Sequence, residues 1–433
     1  MKKTALLLII AMLLGAAGCA GSSGAQEEPC PGFVSAAEAP SPSEASGSSK
    51  KGASETVYSD LTDPDAWEDF MKAVNSFSYE SAKRLIKGDK NSCYSPVSLY
   101  FALAVCAAGA TGETQREMLD ALGVGNEQEL CEGCRRLLKL LCKDSEKTKI
   151  NIAGAIFIDD DVKGVKKDYA DKVTNCFFTS VKTVDFKDAA EAKRIISDFI
   201  FEKTAGKLTY QGGVHPDTKF SIINTVYFLS RWISPFNKQA TRKEIFHATD
   251  GDVECDMMNK YFESSSYYKG EGFVRFEMYF FDGERMAFIL PDEGKLAEVL
   301  EMGAEAFTGG EKINTPVSLS LPKFEFRTVE DLIELLKDMG VKKAFDPLNA
   351  EFTEMFDYTE DPVFLFQAFQ GTYVKVDEEG AEAAAYTAIS GATGGTTAPE
   401  PVYIRFDRPF IYAIKGYPDT VLFTGVVVNP TVK

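Results

Sequence analysis

The chain has 433 residues, 45% of them hydrophobic and 12% aromatic, and a net charge of −18. That length supports one large or two medium domains with a sizeable core, and the composition is that of an ordinary globular protein. So acidic a balance excludes nucleic-acid binding as a main role, because affinity for phosphate backbones comes from clustered lysine and arginine.

In chain order, Lys2 and Lys3 precede an apolar run from Ala5 to Leu14, followed by Gly15-Ala16-Ala17-Gly18-Cys19. Two lysines before a short apolar run predict a secretory signal over residues 1–18, too short to span a bilayer. Small residues followed at once by cysteine resemble a bacterial lipobox. This implies cleavage before Cys19 and lipid attachment to its sulfur; ordinary cleavage with release of a free protein is the alternative. Both readings place the protein outside the cell, and a membrane would be engaged only through the lipid. Residues 19–60 are rich in Ser, Ala, Gly, Glu and Pro and have few large apolar side chains, so they read as a flexible tether. The folded domain is expected over 63–433.

Helical spacing runs over Trp67–Lys87, Pro96–Ala108 (opened by a Ser95 cap and a first-turn proline), Gly112–Leu122, Glu129–Leu141 and Val329–Met339. Strand-like runs are Ile150–Ile158, Lys219–Leu229, Val274–Phe281, Met286–Leu290 and Val317–Phe326. They continue with Val363–Val376, Val402–Phe406, Phe410–Ile414 and Val421–Val428. A helix-rich first part and a strand-rich remainder make a mixed α+β pattern rather than regular β-α alternation.

Chemistry-bearing motifs are sparse. The two histidines, His215 and His247, stand in no nucleophile or metal pattern, and neither Gly-x-Ser-x-Gly nor Gly-Lys-Ser/Thr occurs. Cys131-x-x-Cys134 lies within a predicted helix, without a second cysteine pair or a histidine at ligand spacing. The cysteines beyond Cys30 are therefore read as unremarkable thiols. Arg135, Arg136, Lys139, Lys143, Lys147 and Lys149 read as a solvated helix face. No catalytic residue, cofactor or metal is expected.

The segment Val376 to Thr387 is the most informative. Its alanines and glutamates suit a short surface helix ended by Gly391. Written with period two, however, Ala381, Ala383, Ala385, Thr387 and Ile389 share one small or apolar face, with Glu382, Ala384, Tyr386 and Ala388 on the other.

An ordered set of motifs resembles the serpin family. Asn91-Ser92-Cys93-Tyr94-Ser95-Pro96-Val97-Ser98 is similar to its early helix motif, and Phe220 to Phe228 with Trp232 and Pro235-Phe236 to its central strand. Met257-Met258, Ile289-Leu290-Pro291 and Leu321-Pro322-Lys323-Phe324 follow in order. Glu378-Glu379-Gly380-Ala381-Glu382-Ala383-Ala384-Ala385 resembles the hinge of the reactive loop. Phe406 to Phe410, Leu422 to Gly425 and Val428-Asn429-Pro430 resemble the C-terminal signature.

The resemblance implies an α+β fold with three β-sheets, about eight or nine helices and an exposed reactive-centre loop over roughly 378–402. It implies a monomeric inhibitor that forms a covalent acyl complex with a target serine protease, the cut loop then entering the main sheet as a strand. A non-inhibitory surface binding protein is the alternative. Ser95, Ser98, Asn224, Trp232 and Gln370 fall where the family gates that sheet, Gln370 replacing a histidine. The basic residues near 135–149 lie by a helix that binds polyanions in some members. Counting from Gly380 by the family's spacing puts Gly394 before the scissile bond, with Thr393 and Gly395 as neighbouring candidates; counting back from Phe406 gives Ala398. Such small residues suit an elastase- or subtilisin-like protease.

Overall fold

The computed structural model describes residues 58–432 apart from 163, 358–362 and 382–399. Among these residues there are nine α-helices: α1 (Pro64–Leu85), α2 (Pro96–Ala107), α3 (Gly112–Leu122), α4 (Glu127–Leu141) and α5 (Lys167–Phe177), followed by α6 (Ala189–Lys203), α7 (Leu296–Glu301), α8 (Ala304–Thr308) and α9 (Ile333–Asp338). Their starts follow local chemistry. The Asp63 carboxylate accepts the Ala66 N–H at 2.9 Å ahead of Pro64, and Asn126 accepts from Glu129 at 2.9 Å. α3 stops at Gly123, whose φ of 72° is the left-handed conformation glycine tolerates. α2 is apolar on every side, and it is accordingly buried along its length.

The strands form two ladders, numbered here in chain order. The first has seven strands: β11 (Phe324–Asp331), β12 (Phe369–Val376), β13 (Gly380–Ala381), β5 (Phe220–Arg231), β3 (Thr148–Asp159) and β2 (Lys143–Asp144), with β4 (Thr179–Val184) parallel to β3. The second has nine. β1 (Ser92–Tyr94), β16 (Thr420–Val427), β15 (Phe410–Gly416), β9 (Arg285–Pro291) and β8 (Phe273–Tyr279) lead to β7 (Gly251–Gly270), β10 (Glu311–Pro322) and β14 (Val402–Arg405), while β6 (Arg242–Ala248) flanks β7. The long β7 pairs β8 at one end and β6 at the other, so two of the expected sheets are joined as one ladder.

α2 lies between the two ladders. The Ser98 hydroxyl donates to the Asn224 carbonyl of β5 at 3.3 Å, and the Ser95 hydroxyl donates to the Leu422 carbonyl of β16 at 2.7 Å. The opposite face of the seven-stranded sheet carries a second small core, in which Ile196 and Phe199 of α6 cover Ala153, Ala155 and Phe157 of β3.

Several expectations change. The strand expected over Val363–Val376 exists only from Phe369, and that over Val317–Phe326 divides at Lys323 into β10 and β11. The helix expected over Val329–Met339 shrinks to α9, because Val329 to Asp331 complete the pairing of β11 with β12. Not all later cysteines are free thiols: Cys131 of α4 is disulfide-bonded to Cys176 of α5, with Cα atoms 4.9 Å apart. The partner lies 45 residues away on another helix, which no local spacing signals.

The basic stretch is not a solvated face either. Asp60 pairs with Arg135 at 3.1 Å and Lys139 at 2.9 Å, while Arg136 donates to the Leu61 carbonyl at 2.6 Å and lies 4.1 Å over the Trp67 ring. These cations fasten Asp60 and Leu61 to α4.

Candidate functional site

Where β12 ends, Val376 to Ala381 make a tight reversal: the Asp377 N–H donates to the Gly380 carbonyl at 3.0 Å, and Val376 pairs with Ala381. The returning strand, β13, enters the space between β12 and β5, pairing Gly380 with Arg231 and Ala381 with Ser230. Among the described residues β13 is the only strand joining β5 to β12; those two strands form no ladder with each other. Gly380 is needed for so close an approach, since a Cβ there would stand 2.1 Å from the Ser230 carbonyl oxygen. Ala381 is only 3% exposed, its small side chain already inside the sheet.

The chain before Gly380 is clamped from several elements. The Trp232 N–H donates to the Glu379 carbonyl at 2.9 Å, the Phe236 N–H to the Glu378 carbonyl at 2.8 Å, and the Trp232 indole to the Asp377 carbonyl at 3.1 Å. Trp232 is fixed by stacking on Phe280, ring centroids 4.2 Å apart. Both glutamate side chains are buried and charge-paired: Glu378 with Lys323 at 3.0 Å, accepting also from Thr241 at 2.8 Å, and Glu379 with Lys238. Burial pushes the Glu378 carboxyl up, but Lys323, its own backbone N–H and Thr241 outweigh this and hold it below the usual carboxylate range.

A second polar knot lies at the N-terminus of α2. The Ser95 N–H donates to Gln370 Oε1 at 2.7 Å, and Gln370 Nε2 donates back to the Ser95 carbonyl at 2.9 Å. Thr372 adds a bond to the Cys93 carbonyl at 2.6 Å. One amide thus ties β12 to α2 by two hydrogen bonds, while Ser98 ties α2 to β5. The structure brings Ser95, Ser98, Asn224 and Gln370 together; Trp232 belongs instead to the hinge clamp. Beneath the knot a cavity of about 110 Å³ lies among Leu99, Leu103, Phe220, Ile222, Phe364 and Phe366.

Of the expected hinge, Glu378, Glu379, Gly380 and Ala381 are placed as above. Glu382, Ala383, Ala384 and Ala385 lie outside the described residues, as do the scissile candidates Thr393, Gly394 and Gly395 and the lipid-attachment candidate Cys19. Lys238, Thr241, Lys323 and Thr372 were missed by sequence reasoning; only Lys323, inside Leu321-Pro322-Lys323-Phe324, stood in a motif. Both histidines are exposed, beside Asp217 and Asp252, and take no part in this arrangement.

A mixed α+β fold whose helix-backed, seven-stranded sheet has the two-residue β13 between β12 and β5 defines the class of protein by its architecture. The comparisons agree with that class. A family model for Serpin (serine protease inhibitor) matches residues 72–430. An uncharacterized serpin-like protein of Thermococcus kodakarensis is 30% identical, with 99% of each chain covered. Serpin A3-1 of Bos taurus is 30% identical, over 82% of this chain and 87% of its own. Among solved structures, the thermophilic serpin tengpin in its native state superposes with a TM-score of 0.78 at 26% identity, over 86% of this chain and 96% of tengpin. Human thyroxine-binding globulin complexed with thyroxine superposes at 0.74 with 25% identity, over 84% of this chain and all of that one.

The chain belongs to the serpin family. Members of this class are protease inhibitors rather than enzymes, and the α+β architecture expected from the resemblance is the one found.

Proposed function

We propose that the chain traps serine proteases as a suicide substrate. The protease serine hydroxyl attacks a loop carbonyl between residues 390 and 398. The peptide C–N bond breaks, the leaving amine takes a proton, and the loop remains joined to the enzyme as an ester. The freed strand then continues β13 between β12 and β5, carrying the enzyme with it.

The observation that supports this best is Ala381, lodged between the two strands with its side chain inward. Period two from Ala381 puts Ala383, Ala385, Thr387 and Ile389 on the same inward face, small or apolar at every position. Each inserted residue would exchange water for ladder hydrogen bonds on both sides, worth about 0.5–1.5 kcal/mol net apiece. The bait is Gly394 with Thr393 and Gly395 beside it, and the target is an elastase- or subtilisin-like enzyme with a small primary pocket.

Mixing the protein with an elastase-type protease and running a denaturing gel tests the reading. A stable adduct of the summed mass is expected, and mass spectrometry of the released C-terminal fragment identifies the bond. Cleavage without an adduct would leave a non-inhibitory binding protein instead. The signal-like run before Cys19 supports an inhibitor held outside the cell on a lipid at Cys19; fatty-acid labelling lost in Cys19→Ser is the expected result.

A further inference from the structure

In the nine-stranded ladder, β7 and β8 diverge. Their pairing ends at Tyr267 with Phe276, and β8 next meets a neighbour on that edge at Phe280, which bridges to Trp232. Between those points Glu277 and Met278 pair only with β9 among the described residues. On the far side of β7 the pairing with β10 is broken by a bulge, Thr315 meeting Ser265 and Val317 meeting Phe262. Divergence on one edge and a bulge on the other leave a cavity of about 270 Å³. Its walls are Phe262, Tyr268, Met278, Tyr279 and Ile233. The last two are neighbours, the Ile233 N–H donating to the Tyr279 carbonyl at 3.0 Å, and they are 55% and 51% exposed. A ligand seated there would cover both.

Register fixes which charges face this space. Lys312 of β10, Tyr268 of β7 and Arg275 of β8 stand in one cross-strand row, so their side chains share a face. The Arg275 guanidinium lies 4.1 Å from the Tyr268 ring centroid and steadies that ring. Glu277, the carboxylate in the lining, is already paired with two cations, Arg275 at 3.2 Å and Arg285 at 3.3 Å. Lys312, exposed at the rim, has no ion-pair partner among the described residues. Burial and then Glu277 push the Tyr279 hydroxyl up, with Tyr268 a lesser cause, which sets the two phenols near one another. The cavity therefore joins flat aromatic walls to one unpaired positive charge.

We propose that this cavity binds a small planar aromatic carboxylate, its rings against Tyr268 and Tyr279 and its carboxylate at Lys312. The volume falls just below the roughly 300–1,000 Å³ of pockets for drug-sized ligands, which suits one or two fused rings. A quaternary ammonium, the other ligand that aromatic walls attract, would be repelled by Lys312 and would find Glu277 occupied. A plain hydrocarbon would take water from Lys312 and return no partner. The site stands whether or not the chain traps a protease.

Isothermal titration of the full chain with sodium 2-naphthoate tests this. One saturable site is expected, with the neutral 2-naphthylmethanol binding several-fold more weakly and 2-naphthylmethylammonium weaker still. Lys312→Gln should weaken naphthoate binding several-fold and leave the alcohol's affinity unchanged, whereas Tyr279→Ala should weaken both by about tenfold. Lys312 and Tyr279 both stand at the surface, so the core is left intact. If Tyr279→Ala does not fold, Lys312→Gln and crystals soaked in 6-bromo-2-naphthoate decide, with an anomalous peak expected beside Tyr268. No saturable binding, equal affinity for the ammonium compound, naphthoate affinity undiminished in Lys312→Gln, or bromine density only elsewhere would overturn the proposal.

Discussion

Gln370 and Glu378 show how single residues fix β12 and the turn that follows it. Gln370 meets both backbone polar groups of Ser95, a two-point contact that involves no charge. Gln370→Ala would leave the buried Ser95 N–H unpaired, while the Ser95 carbonyl keeps the Leu99 N–H at 3.3 Å, so the cost is about 1–3 kcal/mol for the one group left unsatisfied. The expected outcome is a lower urea midpoint with an unchanged m-value. Because glutamine does not titrate, this contact should be as firm at pH 5 as at pH 8, unlike a histidine's in the same place.

Glu378 behaves differently. Its folded-state pKa is depressed below the ordinary 4.5, so its contribution to stability is complete above that value. The contribution is lost as the pH falls below 4.5 through the depressed value. Unfolding curves at stepped pH should show this loss, and Lys323→Met should diminish it.

At the level of elements, local chemistry explains what could be read from the sequence. α3 matches its expected bounds and α2 begins where expected, because Ser95-Pro96 is a strong start signal and Gly123 a strong stop; α2 ends one residue earlier than expected. β7 was not foreseen: its Glu263-Ser264-Ser265-Ser266 run lacks the apolar alternation that marks a strand, and pairing with β8 and β10 makes it one. α5 and α6 were also missed.

The Cys131–Cys176 link between α4 and α5 was invisible for the same reason as the clamp on Glu378: partners distant in sequence leave no local trace. Replacing both cysteines with serine removes a cross-link over 45 residues and should cost roughly 2–4 kcal/mol, read as a lower Tm that reducing agent reproduces in the parent protein. For β13, the inward parity of Ala381 gives a sharper expectation. Ala383→Glu would force a carboxylate into the sheet interior, so the variant should be cut by the same protease at a similar rate yet form little adduct, measured by gel densitometry.

At the scale of the whole molecule, the seven-stranded sheet is narrowest in support at β13, two residues long among those described. α2 supports one face and α6 covers the other, while β5 and β12 share only β13 among the described residues. The turn from Glu378 to Ala381 and the contacts of Ser95 and Ser98 fall within compact motifs of the sequence. Their supports were not legible there, because Lys238, Thr241 and Thr372 acquire meaning only once folding brings them to Glu379, Glu378 and Cys93.

The central claim is that the strand beginning at Ala381 can be completed between β12 and β5. Nicking the loop near Gly394 with a protease that is not trapped, then comparing the melting of nicked and intact protein, tests it most directly. Completion of the sheet predicts a rise in Tm on the order of 10–20 °C for the nicked form. An equal or lower Tm after the cut would contradict the account.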